Sequence, residues 1–298
     1  MAVRADTSPL TGPLPGGQAG ATVVVEPILT GTMTCANAFI ESAPHLATLK
    51  MLTSRSNMLD LPIPAYLIRH PVAGPFLIDT GLHPSIGSTP TENLGRIIGR
   101  FSRPTVEREH ELPGQLRDRG VDPKSIRLVV MTHLHFDHSS GMSQFPDATF
   151  VITEDEWDDA STGRNPVMRG YRPQHYDFAF DYRTLSYGGD AIGSYATFGR
   201  TFDLFGDGSV RLASTPGHSA GHQSVICRLR DRDLVIAGDA IYTMGQLTTS
   251  PEPPRPFDRH NWRRSKRELE HFARTYPQAV ILPGHDPEHW KTVQKRYE

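Results

Sequence analysis

Apolar and polar positions along this chain fall into short β-branched runs separated by turn-forming residues. A first series comprises residues 22–25, 66–68, 76–78, 128–130 and 150–152, and a second comprises 210–212, 224–226, 234–236 and 279–282. Each run is bounded by Gly, Pro, Asp or Arg, the pattern of strands. Three segments carry helical spacing: 113–119, closed by Gly120; the acidic 154–160; and 258–276, stopped by Pro277. In the last, Trp262, Leu269, Phe272 and Tyr276 trace one face. Strands outnumber helices and alternate with them irregularly. The pattern therefore predicts an α+β fold with two central β-sheets flanked by helices.

Residues 161–208 break this pattern. They hold Tyr171, Phe178, Phe198 and further aromatics among glycines and arginines, without clear periodicity. A stretch of that length and kind reads as a substrate-facing loop excursion or as packing beneath one. Residues 1–21 are rich in Pro, Gly, Ser and Thr and lack an apolar run, so they read as a disordered tail, neither secretory signal nor membrane span. The expectation is a single domain over 22–298.

Composition narrows the function classes. Lys+Arg 31 against Asp+Glu 33 gives a net charge of −2, with no global pull toward nucleic acid or an anionic membrane. Two cysteines, Cys35 and Cys227, cannot make a disulfide framework and fit a reducing, cytoplasmic compartment. Neither lies in a CxxC pair, and Cys227 within its apolar run reads as a small core residue.

The chemistry is concentrated after residues 128–130. There His133, His135, Asp137 and His138 crowd into one short run, and Gly141 closes the loop. Imidazole nitrogen and carboxylate oxygen suit zinc and its first-row neighbours, and the end of a strand is where α/β sheets place ligands. The arrangement repeats: His218 follows the strand at 210–212, Asp239 the one at 234–236, and His285 the one at 279–282. Small residues precede each of them and let the backbone approach an ion. Each is weak evidence alone; in series they mark a metal site.

These residues resemble the full ligand set of the metallo-β-lactamase superfamily, and within it the N-acyl homoserine lactone lactonases that act in quorum quenching. The supporting strings are Leu59-Asp60-Leu61-Pro62, Ile78-Asp79-Thr80-Gly81, the run from His133 to His138, Gly217-His218 through Ser224, Gly284-His285-Asp286, and Asp239 followed by Tyr242. The resemblance implies the αβ/βα sandwich of that superfamily and two divalent ions, zinc first with iron, cobalt or manganese as alternatives. His133, His135 and His218 would hold one ion, Asp137, His138 and His285 the other, and Asp239 would bridge them. Asp79 would support a ligand rather than be one, and His222 would be supporting or structural. His83, His110, His175, His260, His271 and His289 would be surface or packing residues.

The implied reaction is lactone hydrolysis by a metal-bridging hydroxide. Tyr242 would donate a hydrogen bond to the oxyanion, and Asp137 would pass a proton to the leaving alkoxide. Met33, Met58, Leu59, Tyr171, Phe178 and Phe198 are candidates for the substrate channel. A glyoxalase-II-like thioesterase uses the same metals but usually carries a helical domain after the last ligand, whereas only 286–298 follow His285. Another small-lactone hydrolase would share nearly every motif. The partner expected is a small-molecule lactone, with no nucleic acid, no membrane and a homodimer left open.

Overall fold

Period-two alternation along residues 210–228 sends Leu212, Val225 and Cys227 to one face of a sheet and Ala213 and Ile226 to the other. Both faces are buried, because one meets a second sheet and the other a helix. The computed structural model describes residues 3–37, 40, 58–101, 103–248, 252–253 and 256–298, with the backbone alone for 97–101. The first sheet contains β1 (Thr7–Pro9), β2 (Val24–Ala36), β3 (Met58–His70), β4 (Gly74–Ile78), β5 (Pro104–Thr105), β6 (Leu128–Val130), β7 (Thr149–Thr153) and β8 (Asp181–Leu185). Its order is β1-β8-β7-β6-β4-β3-β2-β5. The second contains β9 (Ile192–Tyr195), β10 (Phe198–Asp203), β11 (Val210–Ser214), β12 (Gln223–Arg228), β13 (Asp233–Gly238) and β14 (Val280–Pro283), in the order β14-β13-β12-β11-β10-β9. The helices are α1 (Ser85–Ser88), α2 (Pro90–Phe101), α3 (Leu112–Asp118), α4 (Phe136–Ser139), α5 (Glu154–Thr162), α6 (Arg259–Thr275) and α7 (Pro287–Trp290).

The core has three layers. Between the sheets, Val25, Ile68, Phe76, Ile78, Val130 and Val151 face Phe202, Leu212, Val225, Ile236 and Leu282. Outside the first sheet, Leu112 and Leu116 of α3 and Trp157 of α5 cover Leu67, Leu77, Val129 and Phe150. Outside the second, Leu269 and Phe272 of α6 cover Ala213, Ile226 and Val235. This two-sheet arrangement flanked by helices is the expected α+β sandwich. Among the described residues no helix is long and apolar enough to cross a membrane.

Two expectations need correction. Residues 3–20 are no free tail: β1 pairs in parallel with β8, with Thr7 opposite Tyr182, and Leu10 and Leu14 rest on the inter-sheet core. The Leu14 N–H donates to Leu204 O at 2.8 Å and the Gln18 N–H to Asp207 Oδ2 at 2.8 Å. Those two leucines and the open edge of β8 give the segment a place that its Pro/Gly-rich composition conceals. The 161–208 stretch is an excursion only in part: 181–203 supplies β8, β9 and β10, and Tyr176, Tyr182 and Phe202 are buried, as the packing alternative expected.

Candidate metal centre

Strands β4, β6, β11, β13 and β14 end along one rim, and every polar residue singled out for metal binding follows one of those ends. After β6 the chain delivers His133 and His135 and turns into α4, which carries Asp137 and His138. The loop after β11 brings His218, β13 ends directly before Asp239, and Gly284 leads from β14 to His285. A Cβ on Gly284 would sit 2.4 Å from Asp239 Oδ1, so the close approach of these last two loops requires glycine.

The seven side chains meet. His218 Nε2 lies 3.1 Å from His133 Nε2 and 2.8 Å from His135 Nδ1. On the other side His285 Nε2 lies 3.4 Å from Asp137 Oδ2, and His138 Nε2 lies 3.8 Å from the same oxygen. Asp239 faces both halves: Oδ2 is 3.2 Å from His218 Nε2, while Oδ1 is 3.1 Å from His285 Nε2 and 3.4 Å from His138 Nε2. Three combinations of these residues place their donor atoms within 4.8 Å of one another.

Each histidine has its outward nitrogen committed to a partner. His138 Nδ1–H donates to Asp79 Oδ2 at 2.8 Å, and His285 Nδ1–H to the Pro62 carbonyl at 2.9 Å. His133 Nδ1 meets Thr132 Oγ1 at 3.1 Å, and that hydroxyl donates to Asp79 Oδ2 at 2.7 Å. His135 bonds the Arg169 backbone, and His218 Nδ1 meets the Tyr242 hydroxyl at 2.9 Å. Outer partners of this kind fix the tautomer and leave the inward nitrogen as a lone pair. The lone pairs of His133, His135 and His218 then converge on one another, which is repulsive unless a cation lies between them. His138 Nε2 and Asp239 Oδ1 are buried without a hydrogen-bond partner, an arrangement that is costly in an otherwise satisfied interior. The donor set therefore fits divalent metal ions in both halves.

Electrostatics differ between the halves. Burial pushes the His133, His135 and His218 imidazoles down, His135 to about 4, so they are neutral donors. Burial acts the same way on His138 and His285, but Asp239, Asp79 and Asp137 outweigh it at His138, and Asp239 and Asp137 at His285, so both are raised. Burial opposes ionisation of Asp239, yet His285, His218 and His138 hold its carboxyl well below the usual range. A half that favours protons on its histidines favours positive charge in general.

Around the cluster, Asp79 accepts from Thr132 N–H at 2.7 Å as well as from His138, and its φ of 57° is left-handed. His222 is buried and accepts the Asp239 N–H on Nε2 at 3.0 Å, while its Nδ1 meets Thr215 Oγ1 at 2.9 Å. Burial drives its basicity down to about 3, so it acts as a fixed neutral acceptor. Glu156 on α5 accepts from Leu134 N–H at 2.9 Å, Ser219 Oγ–H at 2.6 Å and Gly221 N–H at 3.0 Å. Burial raises its carboxyl despite those bonds. Only its place in an acidic first turn was visible in the sequence, and nothing there signalled these contacts.

The residues proposed for a substrate channel scatter. Leu59 packs with Cys35, Ile40, Leu61 and Tyr242 beside the site. Met58 is half-buried and pairs with Ala36 at the start of β3. Met33 is buried among Ile63, Leu82, Ile86 and Leu94, close to Phe136. Tyr171 is buried beneath His135, with ring centroids 5.0 Å apart and its hydroxyl on Asp159. Phe178 stacks on Phe180 at 5.0 Å and lines cavities with Arg4 and with His175. Phe198 is a correction: it is buried under α6 against Phe272, on the outer face of the second sheet, because β10 alternation turns it away from the rim. Of the histidines set aside, His175 is buried on Ser139 and the Asn93 carbonyl, and His260 and His271 are exposed.

The profile of the metallo-beta-lactamase superfamily matches residues 59–285. N-acyl homoserine lactonase AttM of Agrobacterium fabrum is 29% identical over 252 residues, which span 84% of this chain and 91% of that protein. N-acyl homoserine lactonase AiiA of Bacillus thuringiensis subsp. kurstaki is 27% identical over 245 residues, 80% of this chain and 86% of the relative. A solved N-acyl homoserine lactone hydrolase with the product N-hexanoyl-L-homoserine bound at its catalytic metal centre superposes with a TM-score of 0.73 at 21% identity, covering 94% of this chain and 98% of that one.

Proposed function

The chain belongs to the metallo-β-lactamase superfamily, and from that premise we propose that it hydrolyses N-acyl homoserine lactones, opening the ring at a centre that holds two divalent ions. The observation that carries this reading is the double exposure of Asp239, whose Oδ2 faces His218 at 3.2 Å while Oδ1 faces His285 at 3.1 Å. His133, His135 and His218 would hold one ion, and Asp137, His138 and His285 the other. Imidazole and carboxylate donors favour zinc, with iron, cobalt or manganese as alternatives. When bound, such a pair polarises an ester carbonyl and makes hydroxide available at neutral pH.

The remaining chemistry belongs to the chain's own groups. With His218 Nε2 turned to the cluster, Nδ1–H donates to the Tyr242 oxygen, and the phenolic proton is left to donate to a substrate carbonyl as it gains charge. Burial, then Asp239 and Asp137, push this phenol well above its ordinary value, so it stays a donor rather than a base. The Asp137 carboxyl, 3.4 Å from His285, would carry the proton to the leaving alkoxide. Cys35 is no rival nucleophile, because burial pushes its thiol up to about 12. Leu59, half-buried above the buried Cys35, Ile40 and Leu61, offers apolar surface for the acyl group on the cluster that also carries Tyr242, and Met58 adjoins it. Two buried free cysteines accord with a cytoplasmic enzyme.

The test is a substrate panel on zinc-reconstituted protein, with metal content measured on the same sample. It should include N-hexanoyl homoserine lactone, γ-butyrolactone, S-lactoylglutathione and a penicillin. We expect the highest kcat/KM on the acyl homoserine lactone. Preference for the thioester would establish a glyoxalase-II-like enzyme instead, and preference for the simple lactone another small-lactone hydrolase.

A further inference from the structure

The two loops that carry His133, His135 and His218 come from different sheets, after β6 and after β11. No hydrogen-bonded ladder joins those strands; at their base Gln223 donates its N–H to Thr132 O at 2.9 Å and its Nε2–H to Met131 O at 2.8 Å, just beyond the His218 loop. Closer to the imidazoles, Glu156 bridges the two loops. One carboxylate oxygen takes the N–H of Leu134, the residue between His133 and His135, at 2.9 Å. The other takes Ser219 Oγ–H at 2.6 Å and Gly221 N–H at 3.0 Å, within three residues of His218. The side chain is 1% exposed, so water does not compete for these bonds.

The neighbouring backbone is built around the same contact. Thr153 caps α5 by accepting the Glu156 N–H at 3.2 Å, and its hydroxyl donates to the Gly221 carbonyl at 2.6 Å. A Cβ on Gly221 would lie 2.1 Å from Thr153 Oγ1 and 2.3 Å from Glu156 N, so the His218 loop docks directly on the first turn of α5. The other half is held differently. His138 rests on Asp79 at 2.8 Å and His285 on the Pro62 carbonyl at 2.9 Å, neither of which involves α5.

We propose that Glu156 is the positioning residue of the three-histidine half, fixing the His133–His135 loop against the His218 loop and thereby setting that half's affinity for its ion. The inference rests on the two-ion reading of the centre. Glutamine at this position would turn an amide NH2 toward an N–H or O–H donor, replacing an attraction by a donor–donor contact. Groups that orient metal ligands typically change metal affinity by about 10–100-fold when lost.

The experiment is competition of zinc against a chromogenic chelator, using full-length wild type, Glu156→Gln, Ser219→Ala and His218→Ala, with thermal melting of each metal-free protein. His218→Ala identifies which of the two equivalents belongs to the three-histidine half. In Glu156→Gln that equivalent weakens about 10–100-fold and the other keeps its wild-type affinity. Ser219→Ala leaves both backbone bonds to Glu156 and weakens the same equivalent by less. Should Glu156→Gln not fold, Ser219→Ala carries the test alone. The proposal is overturned if both equivalents weaken together or neither does. Wild-type protein that holds fewer than two equivalents overturns the two-ion reading, and this inference with it.

Discussion

Replacing Tyr242 by phenylalanine removes one oxygen atom and leaves a ring of the same shape. That ring packs with Cys35, Ile40, Leu61 and Leu59, so the apolar contacts survive. The hydrogen bond from His218 Nδ1, 2.9 Å long, is lost. A neutral bond at a half-buried position contributes about 0.5–1.5 kcal/mol, too little to unfold the protein or release His218 from its place. The effect on turnover should be larger. Removing one donor from an oxyanion site costs about 10²–10³ in kcat, and because the ions share this task the lower end, about 10²-fold or about 2.7 kcal/mol, is expected. The phenol is held well above its ordinary value, so it is protonated throughout the neutral range and the loss should be uniform with pH. The assay is proton release on opening of N-hexanoyl homoserine lactone, followed by pH-stat from pH 6 to 9 alongside zinc content. Unchanged kcat with two zinc equivalents retained would refute the role given to the hydroxyl. A loss confined to high pH would instead make the phenolate the working form.

Asp239→Ala should lose both ions and all lactone hydrolysis, read as zinc per chain after gel filtration; retention of two equivalents would contradict the shared carboxylate. Asp79→Asn keeps a residue that tolerates the left-handed φ of 57° but presents an amide NH2 to Thr132 or His138. Zinc affinity should fall about 10–100-fold by chelator competition, and an unchanged value would remove Asp79 from the supporting set. Asp207 joins the amino-terminal segment to the rest of the fold by accepting from Gln18 N–H and Ser209 N–H at 2.8 Å each, and from His70 at 3.0 Å. Burial opposes its ionisation but these bonds prevail and hold the carboxyl at about 2 against an ordinary 3.8, so the folded state gains stability from the ionised form. That stability is present in full above the ordinary value and is lost as pH falls from about 4 to 2. Asp207→Ala should therefore lower the urea midpoint at pH 7, and its deficit should narrow as pH approaches 3. A deficit independent of pH would refute the linkage.

The metal centre was legible because His133, His218, Asp239 and His285 each lie within a few residues of the end of an apolar strand, and His135, Asp137 and His138 follow His133 in the same short run. The strands of the second sheet from β11 onward were legible for the same reason, their apolar alternation being uninterrupted. What escaped depends on partners distant in sequence. β8 reads as the polar stretch Asp-Tyr-Arg-Thr-Leu and becomes a strand only because β7 and β1 flank it. The register of β1 on that edge likewise overrides a composition that reads as disorder. Phe198 shows the converse limit: an aromatic among glycines does not reveal whether it faces a cavity or a helix until β10 is paired with β11. Glu156 was invisible as a link, since an acid in a helix's first turn ordinarily needs no explanation beyond the helix dipole. Its meaning comes from the Gly221 loop docked against it.

The central claim is that Asp239 lies between two ion positions, one against each of its oxygens. Anomalous scattering recorded at the zinc absorption edge, on crystals of zinc-loaded wild-type protein, tests this directly. Two peaks per chain are expected, one bounded by His133, His135 and His218 and the other by Asp137, His138 and His285. A single peak, or zinc bound elsewhere with the two halves empty, would contradict that claim.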